Sequence, residues 1–404
     1  MGSQSQVSKY LSITNLAKLK EFCFAAANEG VIAFDTEFVS EDTYENHLCL
    51  IQVATRKQVA VIDALEIDDL RPFWELITSC TSHVVVHAAR EEFCFAYRVM
   101  GEKLPHLFDV QVAAGMVGME YPAAYSTLAT KLADGALQKH ETRTDWRKRP
   151  LTKHQIEYAL QDVLYLHAIY DHLYQQLAEW ERTEWLFQEM ERWQTNLVET
   201  ITGDVWRRLA GTSKLSPRGL AIAREIWNWR DQLAKSKNRP ARRFLRDDLI
   251  VELAKRGPAD PQRIRAIRGM EYRETSQHID ALAKCIARAS SLSLEECPQQ
   301  IKKQSTPPVN LLAQFLSTAL AAICRDASIA PSIVGTSQDI REWLGYRLWK
   351  SGNSKRKREV PLIATGWRAE IIGKRFDELL SGKLSLSVAD PNGDQPLVIR
   401  GTRK

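Results

Sequence analysis

Apolar residues fall into short runs over the first ninety positions and into helical periods after about residue 185. That change of rhythm divides the chain. Residues 31–38 (VIAFDTEF), 48–54 (LCLIQVA), 58–63 (QVAVID) and 83–87 (HVVVH) are brief, rich in β-branched and aromatic side chains, and bounded by polar connections, which predicts four consecutive strands. Helical patterns follow at about 91–100, 109–118 and 125–134. A long helix is expected to begin at Thr152, just past Pro150, and to run toward Trp180. Strands followed by helices that pack around them imply a mixed α/β domain over residues 1–185.

Beyond that point helical patterns occupy roughly 184–209, 216–236, 245–256, 261–268 and 275–289. The polar, Pro-containing stretch 296–308 reads as a linker. Helices are expected again at 309–327, 336–350 and 366–380, with a basic loop at 355–358 and a closing hairpin from LSLSV and PLVIR. The expected layout is therefore an all-α unit at 206–290 and a mostly helical unit at 309–404, read also as a divergent second module of the same kind as the first. Thr336 and Asp339 are spaced to cap the helix that carries Trp343 and Tyr346. Trp227 and Trp229, two apart, do not share one helical stripe, so one is expected in the core and the other partly exposed.

Composition changes this picture in two ways. No apolar run approaches the ~18 residues that span a bilayer, the first ten residues lack the apolar stretch of a secretory signal, and the seven cysteines are scattered without a Cys-x-x-Cys pair; a reducing, cytoplasmic setting is the expectation. The net charge of +5 conceals an asymmetry: residues 1–180 hold 16 Lys and Arg against 24 Asp and Glu, leaving 39 against 26 in the remainder. An acidic front and a basic back suit a carboxylate-rich site joined to a polyanion-binding module, or two unrelated solvated surfaces.

The candidate chemistry lies in the front half. Asp35 and Glu37 are two apart in the first strand and project from one face, where paired carboxylates call for a proton or a cation unless water solvates them. Tyr158 and Asp162 are one turn apart on a helix; a phenol beside a metal-bound water can orient it or take its proton, while core packing and solvation are the plain alternatives. Glu91 and Glu92 open a helix after HVVVH, a position the macrodipole favours in any case. His87 reads as a hydrogen-bonded histidine at a strand end, and Asp109 as the N-cap of the helix that follows it.

Taken together, DTEF (35–38), HAAREEF (87–93) and YALQD (158–162) resemble the three motifs of the DEDDy 3′→5′ exonuclease family, and among them ribonuclease D. The approach to the third motif, LQKHETRTDWRKRPLTKHQIEYALQDVLYL (137–166), resembles it too, including Asp145, Trp146, Arg149, Pro150 and Leu151. The resemblance implies a ribonuclease H-like exonuclease domain, two Mg²⁺ or Mn²⁺ ions held by Asp35, Glu37, Glu92 and Asp162, and a water oriented by Tyr158. One ion would activate the water and the other would stabilise the leaving 3′ oxygen, releasing nucleoside 5′-monophosphates. The second motif normally presents Asp where this chain has Glu92, which bears on rate and metal preference. Residues 206–290, with Asn238, Arg239, Pro240 and the closing Arg268 and Gly269, resemble the helicase-and-ribonuclease-D C-terminal (HRDC) domain.

Two basic clusters then gain meaning as phosphate contacts: Arg143, Arg147 and Arg149 (with Lys148) before the third motif, and Lys235, Lys237, Arg239, Arg242 and Arg243 (with Arg246) in the HRDC-like segment. The resemblance implies structured RNA with a 3′ tail, transfer-RNA precursors above all, as substrate. A DNA exonuclease on the same fold and a nucleic-acid-binding protein with a weakened site are the rivals.

Overall fold

Six strands build the sheet that carries the site: β1 (Leu11–Ile13), β2 (Val31–Val39), β3 (His47–Ala54), β4 (Val59–Asp63), β5 (His83–Val86) and β6 (Leu107–Asp109). The computed structural model describes residues 9–79, 81–135, 144–300, 309–350, 359–393 and 395–401. Arg143, the basic loop at 355–358, the N-terminal eight residues, Cys80 and 301–308 of the expected linker lie outside the described residues. The strand order is β1-β4-β3-β2-β5-β6. β2 pairs antiparallel with β3 and β3 with β4, whereas β1 runs parallel to β4, β2 to β5 and β5 to β6. The first half of β2, Val31, Ile32, Ala33 and Phe34, is buried throughout, as a central strand covered on both faces must be.

The four expected strands are present within a residue or so. β1 and β6, three residues each, carry too little sequence to show a period, and the helices Leu16–Ala26 and Arg71–Ser79 complete the covering layers. The single long helix expected from Thr152 is two: Lys153–Leu164 and Leu166–Glu179. The Tyr125 hydroxyl donates to the Gln161 carbonyl (2.9 Å) and accepts from the Tyr165 amide (3.3 Å), so a side chain is inserted where the helical ladder would continue.

The helical half has two kinds of core. The first kind belongs to the HRDC-like segment, whose buried residues from Trp206 to Cys297 form a cluster of their own. There the helix Pro217–Lys237 packs against both Ile279–Ser291 and Asp247–Arg256. With neighbours on two sides, Trp227 and Trp229 are both half-buried against this core, which corrects the expected division into one inside and one outside. The second kind is shared. Helix Thr183–Thr202 sends Leu186, Met190 and Leu197 into the nuclease core, and Val309, Leu316, Ile323, Trp343, Trp367 and Phe376 join the same cluster. The apolar body thus runs past the boundary expected at 185, and the C-terminal region is part of it rather than a second free-standing module. Thr336 and Asp339 cap helix Ser337–Lys350 reciprocally, as expected, and β7 (Leu384–Val388) and β8 (Leu397–Gly401) form the closing hairpin.

Candidate active site

Asp35 and Glu37 lie in the middle of β2, on the face covered by helix Lys153–Leu164. A register shift between Glu37 and Phe38 bends the strand just after the pair, a device that re-aims side chains beside functional sites. Thr36 points the other way, on the face where Phe34 meets Phe73 and Trp74 and Phe38 meets Phe95.

The third motif enters from above. Thr152 and Gln155 form a reciprocal capping box, which starts the helix so that Ala159, Leu160 and Val163 are buried while Tyr158 and Asp162 reach the site. Ala159 and Leu160 pack with Cys49, Leu50, Val61 and Trp146, with Tyr158 against that cluster. The Trp146 ring stands 6.1 Å from that of Tyr158.

The second motif depends on a strained turn. Ala88 has a left-handed backbone, φ 59°, costly for a residue with a Cβ. The Asp109 carboxylate holds it there, accepting from the amides of Ala88 (3.1 Å) and Ala89 (3.0 Å), while also capping its own helix through Gln111 (2.8 Å). Helix Arg90–Met100 starts at once and delivers Glu92, 5% exposed, to the back of β2. The Thr36 hydroxyl donates to Glu92 Oε1 at 2.7 Å, and the Glu92 charge acts on Asp35. The longer side chain at this position thus reaches round the strand. Glu91 turns away to Asn46 and Arg90.

Electrostatics define the site. Burial, then Glu92 and Asp162, push the Asp35 carboxyl well above its usual range. Burial, then Asp162 and Glu92, raise Glu37 to about 8. Burial raises Asp162 to about 7, and raises Glu92 despite the opposing Thr36 hydrogen bond. The charges acting on Asp35 and Glu37 are all carboxylates. Burial, then Asp162, Glu37 and Asp35, also hold the Tyr158 phenol above its ordinary value, so it stays protonated at neutral pH. Among the described residues no three His, Cys, Asp or Glu side chains are already drawn together at ligating distance. A set of half-buried and buried carboxylates, hard oxygen donors whose charges oppose one another, fits Mg²⁺ or Mn²⁺.

The basic residues expected to hold phosphate are less uniform. Arg149 is committed elsewhere: it clamps both oxygens of buried Asp63 at 2.6 Å and donates to the carbonyls of Trp146 and Cys49. Its expected role on nucleic acid is corrected to a structural one. Arg147 pairs with Asp42 (2.8 Å) and Asp145 (2.9 Å) but remains on the surface. Arg239 pairs with Glu274 and Arg242 with Asp247, while Lys235, Lys237 and Arg243 are exposed. His87 bonds the Ala123 carbonyl (2.9 Å), as a strand-end histidine should.

Comparison with known proteins adds the lineage. Residues 10–178 match the model of a 3′–5′ exonuclease family, and residues 219–286 match that of the HRDC domain. The ribonuclease D of Nitrobacter hamburgensis is 31% identical over 384 residues, 93% of this chain and 96% of that protein. The chain belongs to the ribonuclease D family. The ribonuclease D of Bartonella henselae is 30% identical over 389 residues, covering 94% of this chain and 92% of its own. The crystal structure of Escherichia coli RNase D, described as an exoribonuclease involved in structured RNA processing, superimposes with a TM-score of 0.80 at 26% identity, over 93% of this chain and 99% of that one. As a ribonuclease D, the chain is a 3′→5′ exoribonuclease of a metal-dependent family, with an α/β exonuclease fold followed by an HRDC domain. Among the described residues no helix is long and apolar enough to cross a membrane.

Proposed function

We propose that Asp35, Glu37, Glu92 and Asp162 are the ligands of two divalent cations, Mg²⁺ or Mn²⁺, and that the chain trims structured RNA from its 3′ end, transfer-RNA precursors being the substrates that fit best. The observation that carries this reading is the convergence of four carboxylates, Glu92 buried and the others half-buried, whose charges act on one another and raise their pKa values together. When bound, the cations neutralise the scissile phosphate and make the attacking water acidic. The protein's own part is arrangement. Asp35 and Glu37 come from one strand face, Asp162 from the helix above it, and Glu92 from the far side through the Thr36 bridge. Tyr158, whose phenol is held above its ordinary pKa, orients the attacking water by hydrogen bonding.

The HRDC segment, residues 206–290, supports a gripping role through Lys235, Lys237 and Arg243, with Arg239 and Arg242 available at the cost of exchanging one ionic partner for another. Arg147 stands beside the helix of the third motif and suits the incoming strand in the same way. A cytoplasmic enzyme is consistent with this reading.

The test is metal-dependent release of mononucleotides from a labelled RNA with a 3′ tail. Activity is expected with Mn²⁺ or Mg²⁺ and not with EDTA, and Asp35→Ala should lower kcat by about 10³-fold or more, ~4 kcal/mol of barrier. DNA of the same sequence should be the poorer substrate, since 2′-hydroxyl contacts separate the two. Equal turnover by Asp35→Ala would end the assignment.

A further inference from the structure

Behind the carboxylates the fold buries an amide without pairing it. Gln52 is 1% exposed, yet neither its Nε2 nor its Oε1 has a hydrogen-bond partner among the described residues. Its neighbours in β3, Leu50, Ile51, Val53 and Ala54, are all buried and apolar. An unpaired buried amide opposes folding, so its presence in that strand calls for a reason.

The register supplies one. Gln52 is the direct cross-strand partner of Asp35, flanked by the pairs Ala33–Ala54 and Glu37–Leu50. Directly paired residues of antiparallel strands project from the same face with Cβ atoms about 4.5–5.5 Å apart, a span that a glutamine side chain covers. Asp35 Oδ1 already accepts the Thr36 amide at 2.8 Å.

We propose that Gln52 is a positioning residue whose Nε2 donates to the Asp35 carboxylate in the metal-loaded enzyme and holds it in ligating orientation. This rests on the reading of Asp35 as a metal ligand. Ligating carboxylates are characteristically oriented by such hydrogen bonds, and loss of one weakens metal affinity about 10–100-fold. The competing partner is His167, on the same sheet face, whose Nε2 meets the Ala54 carbonyl at 2.9 Å and whose Nδ1 is likewise unpartnered among the described residues. A glutamine that served only His167 would not bear on metal affinity.

The full chain, stripped of metal, is titrated with Mn²⁺ by calorimetry alongside Gln52→Met and Gln52→Leu, and the thermal unfolding of each stripped protein is recorded. Both variants should unfold at or above the parent's midpoint, because they remove an unpaired amide. Both should bind Mn²⁺ about 10–100-fold more weakly, with kcat recovering at saturating Mn²⁺. Unchanged Mn²⁺ affinity in the variants, with the parent binding normally, overturns the role of Gln52 alone. Stripped variants that unfold well below the parent, or fail to fold, also overturn it, since the amide would then support the metal-free structure. A parent that binds no Mn²⁺ overturns the metal reading and this inference with it.

Discussion

The two helical regions that follow the nuclease sheet are attached to it by opposite means. The HRDC segment keeps its own apolar core and meets the nuclease through polar contacts at the loop between β2 and β3, where the Tyr44 hydroxyl donates to Asp231 (2.8 Å) and the Tyr44 amide to Asn238 (3.2 Å). The C-terminal region shares the nuclease core outright. Its seam is buried: Arg368, 4% exposed, donates to both oxygens of Glu189 at 2.6 and 3.0 Å and to the carbonyls of Ile333 and Val334, while Trp367 stacks on Trp185. Arg182 ties Met116 to Ser328 and Ala327 through their carbonyls. Gly118 allows the approach, since at φ +79° a Cβ there would stand 3.0 Å from the Ser328 backbone. A shared core makes one region part of the nuclease body. A polar hinge leaves the other as a module that presents charge.

The sharpest way to break this comparison is Arg368→Met. It strands a buried carboxylate, with Arg192 as partial relief, and should cost about 3–5 kcal/mol in urea unfolding of the nuclease core. A loss under ~1 kcal/mol would mean that the seam is not structural.

The same seam predicts a pH effect. Burial alone would raise Glu189, but hydrogen bonds and charge from Arg368 and Arg192 outweigh it and hold the carboxyl below its usual value. A depressed folded value adds stability above the unfolded pKa, about 4.3 for Glu, and that stability disappears as the pH falls through the folded value. The unfolding free energy of the parent should therefore drop more steeply below about pH 4.3 than that of Arg368→Met. Parallel curves would count against the pair.

At the polar hinge the expected effect is smaller. Tyr44→Phe removes one hydrogen bond to a carboxylate and should cost about 1 kcal/mol, read as earlier release of the HRDC segment in limited proteolysis. A loss as large as that of Arg368→Met would erase the distinction between the two attachments. The smallest effect on the fold belongs to the exposed cations. Replacing Lys235, Lys237 and Arg243 together by Gln should leave stability within ~0.5 kcal/mol and lower the slope of log affinity for single-stranded RNA against log salt by about 2, at ~0.7 per phosphate contact. An unchanged slope would remove them from the RNA surface.

Much of the nuclease was legible in sequence because its signals are local. A strand of β-branched residues, an Asp-x-Glu within it, and a Tyr and Asp one turn apart all report through periods of two and 3.6 residues, and the capping pairs Thr152 with Gln155 and Thr336 with Asp339 act over three residues. What remained hidden depends on partners distant along the chain. Thr36 looks like core packing until Glu92, 56 residues on, meets its hydroxyl. Asp109 is readable as an N-cap, yet only the parallel pairing of β5 with β6 brings it to the strained turn at Ala88. Arg149 resembles a phosphate ligand until Asp63, 86 residues earlier, takes its Nε and Nη2.

Sequence alone, then, determined the kind of fold and the order of the motifs, and marked four acids as candidates, because those are properties of short segments and of composition. Tertiary structure decided which charges are free and which are already paired, that the C-terminal helices belong to the nuclease core, and that Gln52 lies beside Asp35. Register, long-range ion pairing and the closing of a shared core arise only when distant segments exclude water together, and no local pattern records which segments those will be.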